Sequence, residues 1–402
     1  MSLTDRLKQT IAHGYANAPA LRRLMDEAGL TPADIQSVAD LPKIPVTTKD
    51  QLAQMQKDNP PFGGWLAVPL EGLQRIYISP GPLFEPGGEE TLDEARLEAF
   101  RAAGLGPGDV VLNTFLYHLV PAGLMLDAAL RGIGATVVPT GPGNTDYQVQ
   151  IMMALGATGY VGTPSFLKVI FQKAEAMGIP RQAIPIKKGF FSAEPYPPSL
   201  RAFFEEDYGM TTSQSYATAE LGVIAFDRTG ETTLKLVRNL IVEIVDPESG
   251  QPVPPGEPGH VVVTTFDKTY PLVRLGTGDL SAFVGQPDAE GYYTHIKGWM
   301  GRVGDAIKVR GMFLHPLQLK AAIAQFEELG NVQAIVTRPD TRDHVRLRVE
   351  MKNGTADEEA LREKVKAAAS QACRLKVDEV EFVAAGSIEE SARTVVDERT
   401  WE

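Results

Sequence analysis

The chain has 402 residues, with 39 Lys and Arg against 51 Asp and Glu, a net charge of −12 and 43% hydrophobic residues. Such a length buries a large core and predicts two or more domains, and the acidic balance argues against a nucleic-acid partner and for a soluble cytoplasmic protein. The lone Cys373 excludes an internal disulfide and a cysteine-based metal site, and no apolar run approaches the ~20 residues of a membrane span.

The first 60 or so residues read as helices, because Leu7, Ile11, Leu21, Leu24 and Met25 recur at helical spacing. Thr31-Pro32 predicts a further helix with proline in its first turn. Arg75 to Ile78 reads as a strand that runs into a loop from Ser79 to Gly88. From Gly108 strands alternate with helices. Strands are expected at 110–112, 135–139, 158–161 and 187–192, and helices at 121–131, 148–155, 165–177 and 198–208. This alternation implies βαβ units and a mainly parallel sheet.

After Gly222 the pattern turns β-rich. Strands at 240–245 and 260–265 flank a Pro/Gly-dense turn, which suits an antiparallel unit packed on the first sheet. A glycine-marked boundary at 301–304 then separates a domain of residues 1–303 from a small α+β domain of residues 304–402. The second domain is expected to hold strands at 306–309, 332–337, 346–351 and 380–383, and helices at 317–328 and 357–372. Cys373, in a helical pattern, reads as a buried small hydrophobe. The predicted class is α/β: a large N-terminal domain of mixed and parallel sheets with a β-rich subdomain, and a small C-terminal domain on a hinge.

Four constellations lie at strand ends or turns, where α/β proteins place ligands. The first, Ser79 to Gly88, has the placement of a phosphate-binding loop without its chemistry. Such loops turn glycine N–H groups, hydroxyls and an ammonium toward phosphate. Here prolines remove donors, Leu83 and Phe84 replace polar groups, and Glu85 carries the wrong charge. The second, Phe191 to Pro195, is either an acidic cap for the following helix or a ligand-facing turn. The third, Ser215 to Gly222, sets small residues around Tyr216 and Glu220, so that a planar ring can lie against backbone. An ordinary strand-to-turn junction is the alternative. The fourth joins Tyr270 to Asp279 with Gly301 to Gly311; Asp279, after Gly-Thr-Gly, can accept two vicinal hydroxyls.

In this order the chain resembles the acyl-CoA synthetase superfamily of adenylate-forming enzymes, and within it the phenylacetate–CoA ligase group. The resemblance rests on Pro45-Val46-Thr47-Thr48-Lys49-Asp50, Pro61-Phe62-Gly63, Ala193-Glu194-Pro195, Gly278-Asp279, and Ile307 to Gly311 with Pro316 after it. It spans essentially the whole chain. It implies two half-reactions: ATP and a carboxylate give an acyl-adenylate, and coenzyme A then displaces AMP to give a thioester. It also implies that Ala193, Glu194 and Pro195 line the adenine slot, with Tyr216 stacked on the base and Ala217 beside it. Asp279 would hold the ribose, Arg302 and Lys308 would lie near ribose and phosphate, and Glu220 would bind Mg²⁺. Tyr117, His118 and Gly141 would face the acyl group, although a merely hydrogen-bonded His118 fits equally. The group further suggests a homodimer.

Three departures bear on mechanism. Glu85 stands where the family loop has lysine, and a charge pair at about 4 Å is worth roughly 4 kcal/mol at an effective dielectric of about 20. An inward Glu85 would therefore repel a triphosphate; an outward one would be solvated. The hydroxyl that normally precedes Glu220 is replaced by Ala219, with Thr218 one position earlier. The C-terminal catalytic lysine is missing from the Gly386 to Asp397 segment, where Arg393 is the nearby cation, with a different geometry. Gly304 matches the usual hinge position. These losses fall on the β- and γ-phosphates and on adenylation. They leave open an acid–CoA ligase with an atypical ATP site, a protein that binds AMP, acyl-adenylate or CoA without making the adenylate, and a transfer enzyme that starts from a preformed adenylate or thioester.

Overall fold

The computed structural model describes residues 2–79, 82–88, 94–228, 230–303, 307–310, 312–314, 316–339, 342–352, 358–373, 375–389 and 392–400. The chain divides into two compact units, residues 1–303 and 304–402. Among the described residues no helix is long and apolar enough to cross a membrane.

The first unit opens with α1 (Leu3–Asn17) and α2 (Pro19–Glu27). A reciprocal capping box between Ser2 and Asp5 starts α1, satisfying backbone donors that the first turn leaves open. Thr31-Pro32 makes only a single 3₁₀ turn, Pro32–Asp34, rather than a helix. The short strand β1 (Thr47–Thr48) leads directly into α3 (Lys49–Asp58), whose Thr48 N-cap and Gln51 form another capping box. Next come β2 (Arg75–Ser79) and β3 (Leu83–Gly87), paired antiparallel with Tyr77 opposite Glu85. The segment expected to be a loop is therefore mostly strand. Proline is tolerated there because the hairpin has only two strands, so that Pro86 lies on an edge strand.

The alternating region gives α4 (Glu94–Ala102), β4 (Val110–Asn113), α5 (Ala122–Gly132), β5 (Thr136–Val138), α6 (Thr145–Leu155), β6 (Gly159–Gly162), α7 (Pro164–Ala176), β7 (Lys188–Phe191) and α8 (Pro198–Ala202). β8 (Thr211–Thr218), β9 (Gly222–Phe226) and β10 (Leu234–Leu236) follow. β5, β4, β6, β7 and β8 pair in parallel, as the βαβ pattern requires, and β9 and β10 continue the sheet antiparallel. The expected helix at 198–208 is shorter, because α8 passes into a π turn at Phe203–Asp207. A second sheet holds β11 (Leu240–Val245), β12 (Gly259–Thr265) and β13 (Leu275–Ser281), in the order β1-β13-β12-β11. β14 (Phe283–Val284) and β15 (His295–Ile296) return to the large sheet.

The central parallel strands are largely buried: all but the first residue of β4 and β7, and every residue of β6. Gly162 is required there, since a Cβ would lie 2.1 Å from Thr114 Oγ1. One apolar cluster joins α1, α2, Trp65 and the second sheet, and another gathers Phe171, Phe191, Phe204 and Tyr208 around α7. A fully buried aromatic of this kind contributes about 1.5–3 kcal/mol from area alone.

The second unit holds a hairpin of β16 (Ile307–Val309) and β17 (Met312–Leu314), then α9 (Pro316–Ile323), β18 (Leu329–Thr337), β19 (His344–Met351), α10 (Glu358–Cys373), β20 (Glu379–Ala384) and β21 (Val395–Asp397). Its four-stranded sheet runs β20-β19-β18-β21 over its own apolar core, which includes Cys373. α9 ends five residues before the expected 328, and the chain turns into β18 at Leu329.

Candidate functional site

Parallel pairing of β7 with β8 sets Phe191 beside Gln214, so the 193–195 turn lies next to Ser215 and Tyr216. Ser192 Oγ donates to the Ser215 carbonyl at 3.2 Å and fixes that proximity. Ala193 adopts φ +75°, a conformation that costs a non-glycine residue about 1–3 kcal/mol and recurs at ligand sites. Glu194 does cap a helix, though the preceding one: its carboxylate accepts from Ser165 N at 2.6 Å and Ser165 Oγ at 2.9 Å, in the first turn of α7. Its side chain thus rigidifies the turn while the turn's backbone faces β8.

Asp279 lies inside β13 rather than in a loop, and is nearly buried. Its Oδ2 accepts the Tyr216 hydroxyl at 2.9 Å, and its Oδ1 accepts the Trp299 indole N–H at 3.2 Å. Arg302 Nε lies 3.2 Å from the same Oδ1, and an antiparallel bridge joins residues 279 and 302. Burial, then the charge of Asp279, pushes the Tyr216 phenol well above its usual range, so it stays a donor. Gly278, at φ +79°, donates its N–H to His260 Nε2 at 3.0 Å, which makes that ring nitrogen an acceptor. Burial holds the His260 pKa below its ordinary value, against the pull of Asp279, and so keeps the acceptor available. The bulge between Tyr216 and Ala217 marks where β8 leaves regular pairing with β9.

Glu220 follows β8 and is buried; Lys49, at the start of α3, donates to its Oε2 at 2.9 Å. Burial raises the Glu220 pKa, but the Lys49 ammonium, together with the Glu220 backbone and the Thr218 hydroxyl, holds the carboxyl below the usual range. Glu85 points inward, not to solvent, and is only 6% exposed. Burial first, then the neighbouring Glu220 charge, pushes its carboxyl up to about 8. Its Oε1 accepts no hydrogen bond among the described residues. Gln56 of α3 clamps the hairpin from behind: its side chain bonds both the N–H and the carbonyl of Phe84 at 2.8 Å, and Tyr270 OH at 3.2 Å.

At the C-terminal end of β4, Asn113 Nδ2 donates to Tyr117 OH at 2.7 Å and to the Gly123 carbonyl at 2.9 Å, and the Asn113 carbonyl accepts from Gly141 N at 3.1 Å. Tyr117 passes its own proton toward Asp127 at 3.2 Å. Gln148 donates to the Gly141 and Gly143 carbonyls at 2.9 and 3.3 Å. Tyr117 and Gly141 are therefore joined through Asn113. His118 is exposed, on a loop whose Leu119 carbonyl accepts from Ile78 N at 2.7 Å.

The second unit carries Lys308 and Arg393. Lys308 lies on β16, and its side chain is outside the described residues, as are Pro80, Gly81 and Gly304. Arg393 is exposed, with its carbonyl accepting from Gln333 Nε2 at 3.1 Å. Glu350 accepts from Ile388 N at 2.8 Å and Asn331 N at 3.2 Å, anchoring the turn that lacks lysine.

Sequence reasoning missed Trp299, His260, Asn113 and Gln148, and gave Lys49 no role. Lys49 acts on a partner 171 residues away, so no local spacing announces it, whereas Asn113 and Gln148 bond groups within 10 residues and are plain amides with no motif around them. Trp299 alone left a trace, as an aromatic within three residues of Arg302.

The model of the AMP-binding enzyme family matches residues 95–266, and that of the AMP-binding enzyme C-terminal domain matches residues 311–399. The phenylacetate–coenzyme A ligase of Escherichia coli is 32% identical over 367 residues, which cover 88% of this chain and 82% of that protein. The Thermus thermophilus enzyme of the same name is 30% identical over 364 residues, covering 86% and 80%. Among solved structures, a 2-hydroxyisobutyryl-CoA ligase in complex with 2-HIB-AMP and CoA superposes with a TM-score of 0.88 at 26% identity, covering 99% of this chain and 89% of that one. With relatives this similar over most of both sequences, and with its carboxylates and strand ends arranged as above, the chain belongs to the adenylate-forming AMP-binding enzymes, among relatives of the phenylacetate–CoA ligases.

Proposed function

We propose that this chain is an acid–CoA ligase that activates a small aryl or short acyl carboxylate as its adenylate and passes the acyl group to coenzyme A. The single observation that carries the reading is the Tyr216–Asp279–Trp299–Arg302 station, where a buried carboxylate is oriented by three donors beside an aromatic face. In this reading Asp279 takes the ribose hydroxyls and Arg302 the adjoining phosphate, while the backbone of Ala193, Glu194, Pro195 and Ala217 bounds the adenine. Tyr117, His118 and Gly141 bound the acyl group. In the second unit, which we assign as the small mobile domain, Lys308 and Arg393 are the cations for phosphate. The protein is further proposed to be a cytoplasmic homodimer, on the resemblance alone.

The residues around Glu220 fit a divalent cation. The Glu220 side chain is a buried carboxylate, and one carboxylate completed by water and phosphate oxygens suffices for Mg²⁺. Glu220 would hold the ion, which when bound neutralises phosphate charge. Lys49 orients Glu220 and balances it before the ion arrives.

The test supplies ATP, Mg²⁺, CoA and a carboxylate panel that includes phenylacetate and 2-hydroxyisobutyrate, and follows pyrophosphate and thioester. The expected result is acid-dependent release of both, and absence of pyrophosphate with every acid would overturn the reading. A second reading, binding of AMP or acyl-adenylate without adenylation, draws on the inward Glu85. Calorimetry separates the two: that reading requires AMP or CoA to bind, with little gain from the triphosphate.

A further inference from the structure

We infer that Trp299 is a displaceable placeholder for one ribose hydroxyl: its indole N–H occupies the position on Asp279 that a vicinal diol needs, and its ring turns away when a nucleoside binds. The inference rests on the ligase reading above and deepens it at the nucleoside station.

The acceptor capacity of Asp279 sets the problem. A carboxylate offers about four lone-pair positions, two on each oxygen. Oδ1 takes the Trp299 indole N–H and Arg302 Nε, each at 3.2 Å, and is thereby filled. Oδ2 takes the Tyr216 hydroxyl at 2.9 Å and keeps one position open. A single hydroxyl can enter there. A vicinal diol that gives one hydroxyl to each oxygen also needs a position on Oδ1, so Trp299 or Arg302 must leave.

Trp299 is the one that leaves. Its bond is made by a neutral donor, whereas the Arg302 guanidinium is charged, and charge-assisted bonds between ions are roughly twice as strong. Arg302 is also confined. Its side chain is 10% exposed, residue 302 bridges to residue 279, and Nη1 lies so close to Gly278 that a Cβ there would be 3.2 Å away. Trp299 is 39% exposed, so its ring can turn to water without opening a buried hole. The backbone around it is anchored to β13: Met300 N donates to the Leu280 carbonyl at 2.9 Å, and the Gly301 carbonyl accepts from Leu280 N at 2.9 Å. The Gly298 carbonyl accepts from Ser281 Oγ at 2.7 Å. The displacement is therefore a rotation about the side-chain bonds of Trp299, a fast motion for an exposed residue.

The experiment uses the full chain and titrates wild type and Trp299→Phe, which keeps an aromatic ring without an N–H, with adenosine and with 2′-deoxyadenosine by calorimetry. Trp299→Phe should bind adenosine roughly three- to tenfold more tightly than wild type, the worth of one hydrogen bond no longer broken on binding. 2′-Deoxyadenosine, which has only one hydroxyl of the pair, enters the open position and should bind both proteins equally. Equal or weaker adenosine binding by the variant overturns the inference, since the indole would then stay in place or hold Asp279 for the sugar. An equal gain for both nucleosides overturns it too, because that marks altered packing. A second measurement needs no variant: saturating adenosine should move the tryptophan emission of wild type to the red as the indole enters water, and 2′-deoxyadenosine should not. The same emission with and without adenosine, or the same shift with both nucleosides, overturns the inference. Wild type that binds neither adenosine nor AMP removes the ligase reading itself, whereas binding without these contrasts removes only the placeholder.

Discussion

Both oxygens of Asp279 already accept hydrogen bonds, from Tyr216 on one side and from Trp299 and Arg302 on the other, so a sugar must share or displace these donors. The arrangement is oriented in advance, which lowers the ordering cost of binding. Removing single atoms should separate its parts. Tyr216→Phe deletes one neutral donor to a charged acceptor and is expected to lower unfolding stability by about 1.5–3 kcal/mol. Asp279→Ala strands three donors, one of them charged and nearly buried, and should cost about 3–5 kcal/mol. Urea denaturation of both variants and of the double mutant gives the coupling. Strictly additive losses would mean that the Tyr216–Asp279 bond contributes nothing of its own. The same residues mark what was legible in sequence. Asp279 and Tyr216 stood out because Gly-Thr-Gly and a run of small residues isolate them locally. Trp299 and Lys49 did not, because their significance lies in partners brought close only by sheet pairing.

Elements were legible wherever one physical cause dominated. The βαβ region announced itself by period, and β11 with β12 by alternation around a Pro/Gly turn. The first strand of the hairpin at 75–87 was legible, but the second fell in the expected loop from Ser79 to Gly88, because prolines argue against strands in general, yet not at the outer edge of a two-stranded ribbon. Its inward Glu85 follows from that pairing. Asp279, expected in a constellation at a strand end or turn, lies within β13, where Gly276 is needed because a Cβ there would lie 2.4 Å from the His260 ring. His260 therefore supports a strand that glycines would otherwise weaken. Its acceptor role needs the neutral ring, and burial lowers its pKa from 6.5 against the attraction of Asp279. The unfolded chain then binds more protons than the folded one below pH 6.5, so stability is full above that value and lost as pH falls through the folded pKa. His260→Gln keeps an acceptor for the Gly278 N–H and cannot titrate. Urea midpoints from about pH 7.5 to about pH 5 should decline more steeply for wild type than for His260→Gln. Parallel slopes would show that other groups govern acid sensitivity.

On the scale of the whole molecule, the boundary at Val303 and Gly304 divides the chain into two units, and among the described residues each has buried clusters of its own, over α1 to β15 in one and β16 to β21 in the other. The sequence marked this division by glycines and by a restart of the α/β pattern, and it carried the family through motif order. Residue contacts within each unit needed coordinates. Two separate cores imply two cooperative transitions in calorimetry. The nucleoside station lies wholly in residues 1–303, so adenosine, which carries no phosphate, should raise only the transition of that unit, by about 2.7 kcal/mol of apparent stability at a hundred times its Kd. A fragment of residues 304–402, with its own four-stranded sheet and the α10 face of Leu361, Val365, Ala369 and Cys373 buried on it, should unfold cooperatively by itself and match the transition that adenosine leaves unmoved. If the fragment is unfolded, or if both transitions move together with adenosine, the second core depends on the first for its stability, and the mobility assigned to the small domain would have to arise without independent folding.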